Sequence, residues 1–292
     1  MIRTISKISL GTVQFGLTYG VANNSGQVSF EETKDIIELA RQSGIDTLDT
    51  AIMYGNSEEV LGEIGLDNWN VITKIPEAQL GIDNIKAWLK QEIINSMARL
   101  GVAKLYAVML HSTNVLSSDH ARTYWNGLLE LKQQGLIKKI GYSIYNPDEL
   151  NNHYNNFQPD IVQAPYNVLD SRLETSGWLQ RMREDSVEIH VRSIFLQGLL
   201  LMNYEQRPVY FRRWDNLWIK WHRWLETEKI TALEAALWFV LKDKRITTMV
   251  IGVNSAEQLR EIMCASKKNV VEKLYDFSSS DVELINPSKW ML

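Results

Sequence analysis

The chain has 292 residues, 45% hydrophobic and 23% charged, with a net charge of -4: enough for a large folded core, with no basic surplus for nucleic-acid binding. Its single cysteine, Cys264, excludes an intrachain disulfide and gives no sign of an oxidising compartment. No apolar run approaches the roughly 20 residues of a membrane helix, and the opening MIRTISKISLG lacks the apolar centre of a signal peptide. A cytoplasmic protein is therefore expected.

Taken in order, strand-length apolar runs occur at KISLGTV (7–13), GIDTLD (44–49), NVITK (70–74) and LYAVMLH (105–111), then at KKIGYS (138–143), DIVQAP (160–165), EIHVRS (188–193) and TTMVIG (247–252). Amphipathic helical segments fill the gaps. Ser29 with Glu32, Asn56 with Glu59, Thr231 with Glu234 and Ser255 with Gln258 have capping-box spacing or a close variant. Gly44 and Gly135 stand where a left-handed residue would end a helix. Strict strand–helix alternation implies a parallel sheet, either open or closed. Eight units, and the lack of a G-x-G-x-x-G after the first strand, favour an eight-stranded α/β barrel, a (β/α)8 TIM barrel, spanning 1–292 as one domain. The one irregularity is about 203–229, where YFRRWDNLWIKWHRWLE reads as an extra helix or a loop packed over the barrel.

Active sites of such barrels lie at the C-terminal strand ends. Asp49, Lys74 and His111 fall at the ends of strands two, three and four, and Tyr54 follows strand two in the stretch LDTAIMYG. Four residues distant in sequence should therefore meet at one mouth. A phenol with a pKa near 10 is a weak acid at neutral pH. An adjacent lysine cation favours phenolate, and a carboxylate compensates that cation in a dry site. A neutral histidine could orient a carbonyl. There is no H-E-x-x-H and the histidines are scattered, so no metal site is expected.

The order and flanks of these residues (DTA-x-x-YG, TK, LH) resemble the aldo-keto reductases, and the likeness runs from LGTVQFG to VIGVNSAEQLREI. The resemblance implies a (β/α)8 barrel that reduces an aldehyde or ketone with NAD(P)H, with Asp49, Tyr54, Lys74 and His111 as its catalytic tetrad and Tyr54 as proton donor. It implies cofactor contacts from Ser143, Gln163, Arg192, Ser193, Leu196, Gly198, Gly252, Asn254 and Gln258, and phosphate binding at the helix N-terminus after strand eight. Three positions depart from the family pattern: Ile144 for Asn, Arg192 for the Tyr that commonly stacks on nicotinamide, and Ile262 for an adenine-contacting Asn. Arg192 is open to three readings: stacking on the ring, meeting pyrophosphate or an anionic substrate, or forming a buried ion pair. NADP is the family default; NAD is the alternative because no Lys or Arg immediately follows strand eight.

The mouth should be lined by the loop after strand one with Tyr19, by Met53, and by the tryptophan-rich insertion, with Trp214 a candidate for packing on a substrate. Trp214, Leu217, Trp218, Trp221 and Trp224 also recur at helical spacing, which suits a stripe packed on the barrel. The patterns LGTVQFGLTYG and RSIFLQGLLL resemble members that accompany the making of surface-polysaccharide sugars, so a keto-sugar, free or nucleotide-linked, is the expected substrate. Two competing readings are a cofactor-binding regulatory subunit, and an isomerase or aldolase using Lys74 as a Schiff base. Oligomeric state is not legible.

Overall fold

The computed structural model describes residues 7–79, 81–268 and 275–291; the N-terminal stretch read above as lacking a leader lies, as far as Ser6, outside the described residues. Each apolar run forms a strand: β1 Ile8–Gly11, β2 Thr47–Asp49, β3 Asn70–Ile75, β4 Leu105–Leu110, β5 Ile137–Ser143, β6 Ile161–Pro165, β7 Glu188–Arg192 and β8 Thr248–Gly252. Every neighbouring pair is parallel, and β1 pairs with β8 to close the barrel. The run at 44–49 is shorter than expected. Gly44, at φ +79°, ends the helix Phe30–Gln42, and Ile45 N–H bonds back to Ala40 O, so the strand starts only at Thr47.

Side chains alternate along a strand. Residues two before Lys74, His111 and Gln163, namely Ile72, Met109 and Ile161, therefore face the barrel axis with those groups. Together with Ala107 they form a buried cluster of their own beneath the mouth. The opposite strand faces meet the surrounding helices in a much larger core.

Capping is as spaced at three of the four expected positions. Ser29 accepts from Glu32 N, Thr231 and Glu234 form a full reciprocal box, and Ser255 accepts from Gln258 N. Asn56 makes no cap; its side-chain oxygen accepts instead from Gln27 Nε2 at 2.8 Å. The insertion is a short 3-10 segment, Val209–Trp214, followed by a helix, Asp215–Glu228. Trp218 and Trp221 are fully buried in a second core with Leu200, Phe211, Phe277 and Leu284. Their indole N–H groups donate to Phe211 O and Leu200 O. The tryptophan stripe thus packs the insertion onto the barrel. No helix among the described residues is long and apolar enough to cross a membrane.

Candidate active site

At the mouth, β2 and β3 bring Asp49 and Lys74 side by side, 3% and 1% exposed. Lys74 Nζ donates to Asp49 Oδ1 at 2.6 Å, to Thr50 O at 2.9 Å and to Tyr54 OH at 3.4 Å, the last at the long end of a hydrogen bond. An ammonium has three N–H donors, and all three are engaged. Burial opposes the Lys74 charge, but Asp49 and Tyr54 outweigh it and hold the ammonium above its ordinary range. A Schiff-base role needs a free amine, which this setting disfavours.

The second oxygen of Asp49 accepts from Gln163 Nε2 at 2.7 Å. Sequence reasoning assigned Gln163 to the cofactor and missed this bond, since nothing local pairs residues on β2 and β6. Tyr54 is placed by close backbone packing. A Cβ on Gly16 would lie 1.8 Å from Tyr54 O, and one on Gly55, at φ +56°, would lie 2.3 Å from Gly16 O. Thr12, Thr50 and Ser57 tie the same loops together, with Ser57 Oγ 2.9 Å from Thr12 O and Thr12 Oγ1 donating to Asp49 O.

His111 follows β4, its ring edge-on to Tyr54 with centroids 5.8 Å apart. Burial, then the Lys74 and Arg192 charges, lower its pKa to about 4, although Asp49 acts the other way. The imidazole is therefore neutral at physiological pH. The phenol oxygen of Tyr54 accepts from Lys74, which leaves its own O–H free to donate into the cavity.

These four residues share a cavity of about 520 Å³ with Ser143, Gln163, Arg192, Ser193, Gly198, Gly252, Asn254, Gln258 and Tyr19. The size suits a small-molecule or cofactor site. Met53, Leu196 and Trp214 do not line it. Met53 is exposed, and Leu196 is buried in the second core. Trp214 donates its indole N–H to Asp281 and lies beneath the Arg213 guanidinium. Leu196, Gln197 and Gly198 all have φ between 49° and 89°, so a left-handed turn shapes the loop after β7. That loop meets the one after β1 through Gln197, whose side chain donates to Tyr19 OH and whose carbonyl accepts from Ala22 N.

Two features bear on a cofactor. Gln14 Oε1 and Asn254 Oδ1 are buried, line the cavity and have no hydrogen-bond partner among the described residues. Such acceptors fit a dinucleotide, whose carboxamide and ribose hydroxyls are donors. Gln14 was not singled out in the sequence; only the fold sets it against Gly252, where a Cβ would lie 2.6 Å from its amide. The helix Ala256–Ala265, however, has part of its N-terminal N–H set already taken. Glu32 accepts from Ala256 N at 2.7 Å, Gln258 Oε1 from Asn254 N, and Ser255 Oγ from Gln258 N. Glu261 adds a second carboxylate near that end of the cavity.

Arg192 forms no ion pair among the described residues. Its guanidinium donates to Ile144 O at 3.0 Å and to Ser193 Oγ at 3.3 Å, and lies over the Tyr145 ring at 4.5 Å. No group of three potential metal ligands occurs among the described residues.

The Aldo/keto reductase family model matches residues 7–277. The chain is 25% identical to a protein named NADH-specific methylglyoxal reductase from Escherichia coli (strain K12), covering 91% of each. It is 23% identical to L-glyceraldehyde 3-phosphate reductase of the same strain, covering 84% of this chain and 82% of that one. Among solved structures, an aldo-keto reductase from Bacillus halodurans in its holo form superposes with a TM-score of 0.73 at 20% identity, over 91% and 88% of the two chains. A glycerol dehydrogenase from Gluconobacter oxydans gives 0.69 at 18% identity, over 91% and 87%.

Proposed function

The chain belongs to the aldo/keto reductase family, and from that premise we propose that it reduces the carbonyl of a small aldehyde or ketone to an alcohol, with a nicotinamide cofactor and with Tyr54 as general acid. The observation that carries this reading is the saturated Lys74 ammonium, held against Asp49, Thr50 and Tyr54 at the floor of the cavity. When bound, the cofactor supplies hydride to the carbonyl carbon. Tyr54 donates its proton to the carbonyl oxygen, and Lys74 faces the phenol oxygen on which negative charge then gathers. Asp49 compensates the lysine, and Gln163 fixes the carboxylate through its other oxygen. Neutral His111 donates a hydrogen bond that orients the carbonyl.

Ser143, Arg192, Ser193, Gly252, Asn254 and Gln258 would hold the cofactor, together with Gln14. NADH is favoured over NADPH. Glu32 occupies the helix N-terminus where a phosphate would bind, Glu261 adds like charge, and no Lys or Arg after β8 lines the cavity. The relative named NADH-specific supports the same preference.

For the substrate, the polar mouth formed by Tyr19, Asn23, Arg192 and Gln197 suits an oxygenated carbonyl compound. Our reading is a keto-sugar, free or nucleotide-linked, of the kind from which surface polysaccharides are made. The test is NADH oxidation with keto-sugars, keto-sugar nucleotides, methylglyoxal and an unsubstituted aliphatic aldehyde. Preference for the sugars supports the assignment; equal or faster turnover of the aliphatic aldehyde counts against it.

A further inference from the structure

The charge at the reacting end of the cavity is not balanced. The charged side chains that line the cavity are Asp49, Lys74, Arg192 and Glu261. Asp49 and Lys74 cancel each other across 2.6 Å. Glu261 belongs to the helix after β8, away from the tetrad's strand ends on β2 to β4. His111 stays neutral. What remains beside the tetrad is Arg192, at the end of β7, with no carboxylate partner among the described residues. Its guanidinium is anchored on the Ile144 carbonyl and the Tyr145 ring face, so the charge is fixed in place. Arg192 is among the groups that depress His111, which places its field at the reacting centre.

Carbonyl reduction changes the charge of the bound nicotinamide. Two electrons and a proton leave the neutral ring as hydride and join the carbonyl carbon, and the C=O π pair moves to oxygen. Tyr54 protonates that oxygen and is reprotonated from solvent, and the ring is left as a pyridinium cation. A fixed guanidinium in the same cavity raises the energy of the cationic ring and leaves the neutral one nearly untouched.

We propose that Arg192 makes this cavity bind reduced nicotinamide in preference to oxidised, so that the protein is biased toward carbonyl reduction and expels its oxidised cofactor. The inference rests on the nicotinamide reading above. Beside the tetrad the cavity is lined by Ser143 at the end of β5, Gln163 within β6 and Arg192 at the end of β7, and this part of the wall is where the reading above sets the ring. Arg192 thus acts on the equilibrium between cofactor forms rather than on proton transfer.

The test is equilibrium binding of NADH and NAD+, and of NADPH and NADP+, by tryptophan quenching and calorimetry with no substrate present. Wild-type protein is expected to bind the reduced form of whichever pair it accepts at least ~10-fold more tightly. Arg192→Gln should narrow that ratio by about 10-fold, equivalent to about 30 mV for a two-electron couple. Arg192→Lys, which keeps the charge, should retain most of it. Equal affinity for the two forms in the wild type, or an unchanged ratio in folded Arg192→Gln, overturns the proposal while leaving the reductase reading intact. If Arg192→Gln fails to fold, the wild-type ratio and the Lys variant decide. Failure to bind any of the four cofactors overturns both.

Discussion

At the scale of single residues, the site is defined by what each polar atom already touches. Lys74 is saturated by three acceptors, which holds it as an ammonium rather than a free amine. His111 is neutral because burial and two nearby cations lower its pKa to about 4. The sign of its linkage follows: between its ordinary value near 6.5 and about 4 the unfolded chain binds the proton that the folded chain refuses, so stability falls as pH drops through that window. A profile of kcat/KM should accordingly show no histidine limb between pH 6 and 7. A limb there that vanishes in His111→Gln would contradict the neutral assignment. The two carboxylates near the helix after β8 make a second prediction. Glu261→Lys should improve NADPH binding by about 10-fold or more and weaken NADH little, as read by fluorescence titration; an unchanged NADPH affinity would show that Glu261 does not discriminate.

At the scale of elements, two devices hold the chain outside the strands in place. The first is the contact of the Tyr54 loop with the loop after β1, which Gly16 and Gly55 allow. Gly55→Ala adds a Cβ to a left-handed residue facing a carbonyl. It should cost about 1–3 kcal/mol in urea unfolding and lower kcat more than it weakens cofactor binding, because Tyr54 moves. The second device is the insertion, held by Trp218 and Trp221 in its own core. Trp221→Ala removes a fully buried ring and should cost about 3–5 kcal/mol, detected as a fall in Tm, with the residual folded fraction still able to bind cofactor. Full activity at an unchanged Tm would mean that the helix Asp215–Glu228 is not seated as described. The strands were legible because each is an apolar run bounded by turn or cap residues, and seven of them both begin and end within two residues of their runs' limits. The β2 start was missed since Ile45 is apolar but serves the helix end. The unused cap at Asn56 was missed for a related reason: Gln27, from another loop, claims its side chain.

At the scale of the whole molecule, barrel closure turns separate strand ends into one chemical unit. The tetrad could be read from sequence because each member sits at the C-terminal end of a strand or just beyond it, and the topology of the barrel does the rest. What could not be read is partnership across the barrel. The bond from Gln163 to Asp49 spans 114 residues, and the capture of the Ala256 N–H by Glu32 spans 224. No local pattern encodes either, yet the second is one of the contacts on which the proposed preference for NADH rests. Proximity in sequence to the mouth loops puts Trp214 and Met53 near the substrate, whereas the fold sends one to Asp281 and leaves the other exposed. The proposed function turns on proton donation by Tyr54. The most direct test is the rate of NADH oxidation by Tyr54→Phe beside the wild type, at saturating carbonyl substrate and with cofactor affinity measured on the same samples. A fall of roughly 10²–10⁴-fold in kcat, with NADH binding within a few-fold of wild type, is the expected result. A Tyr54→Phe protein that turns over at or near the wild-type rate would contradict it.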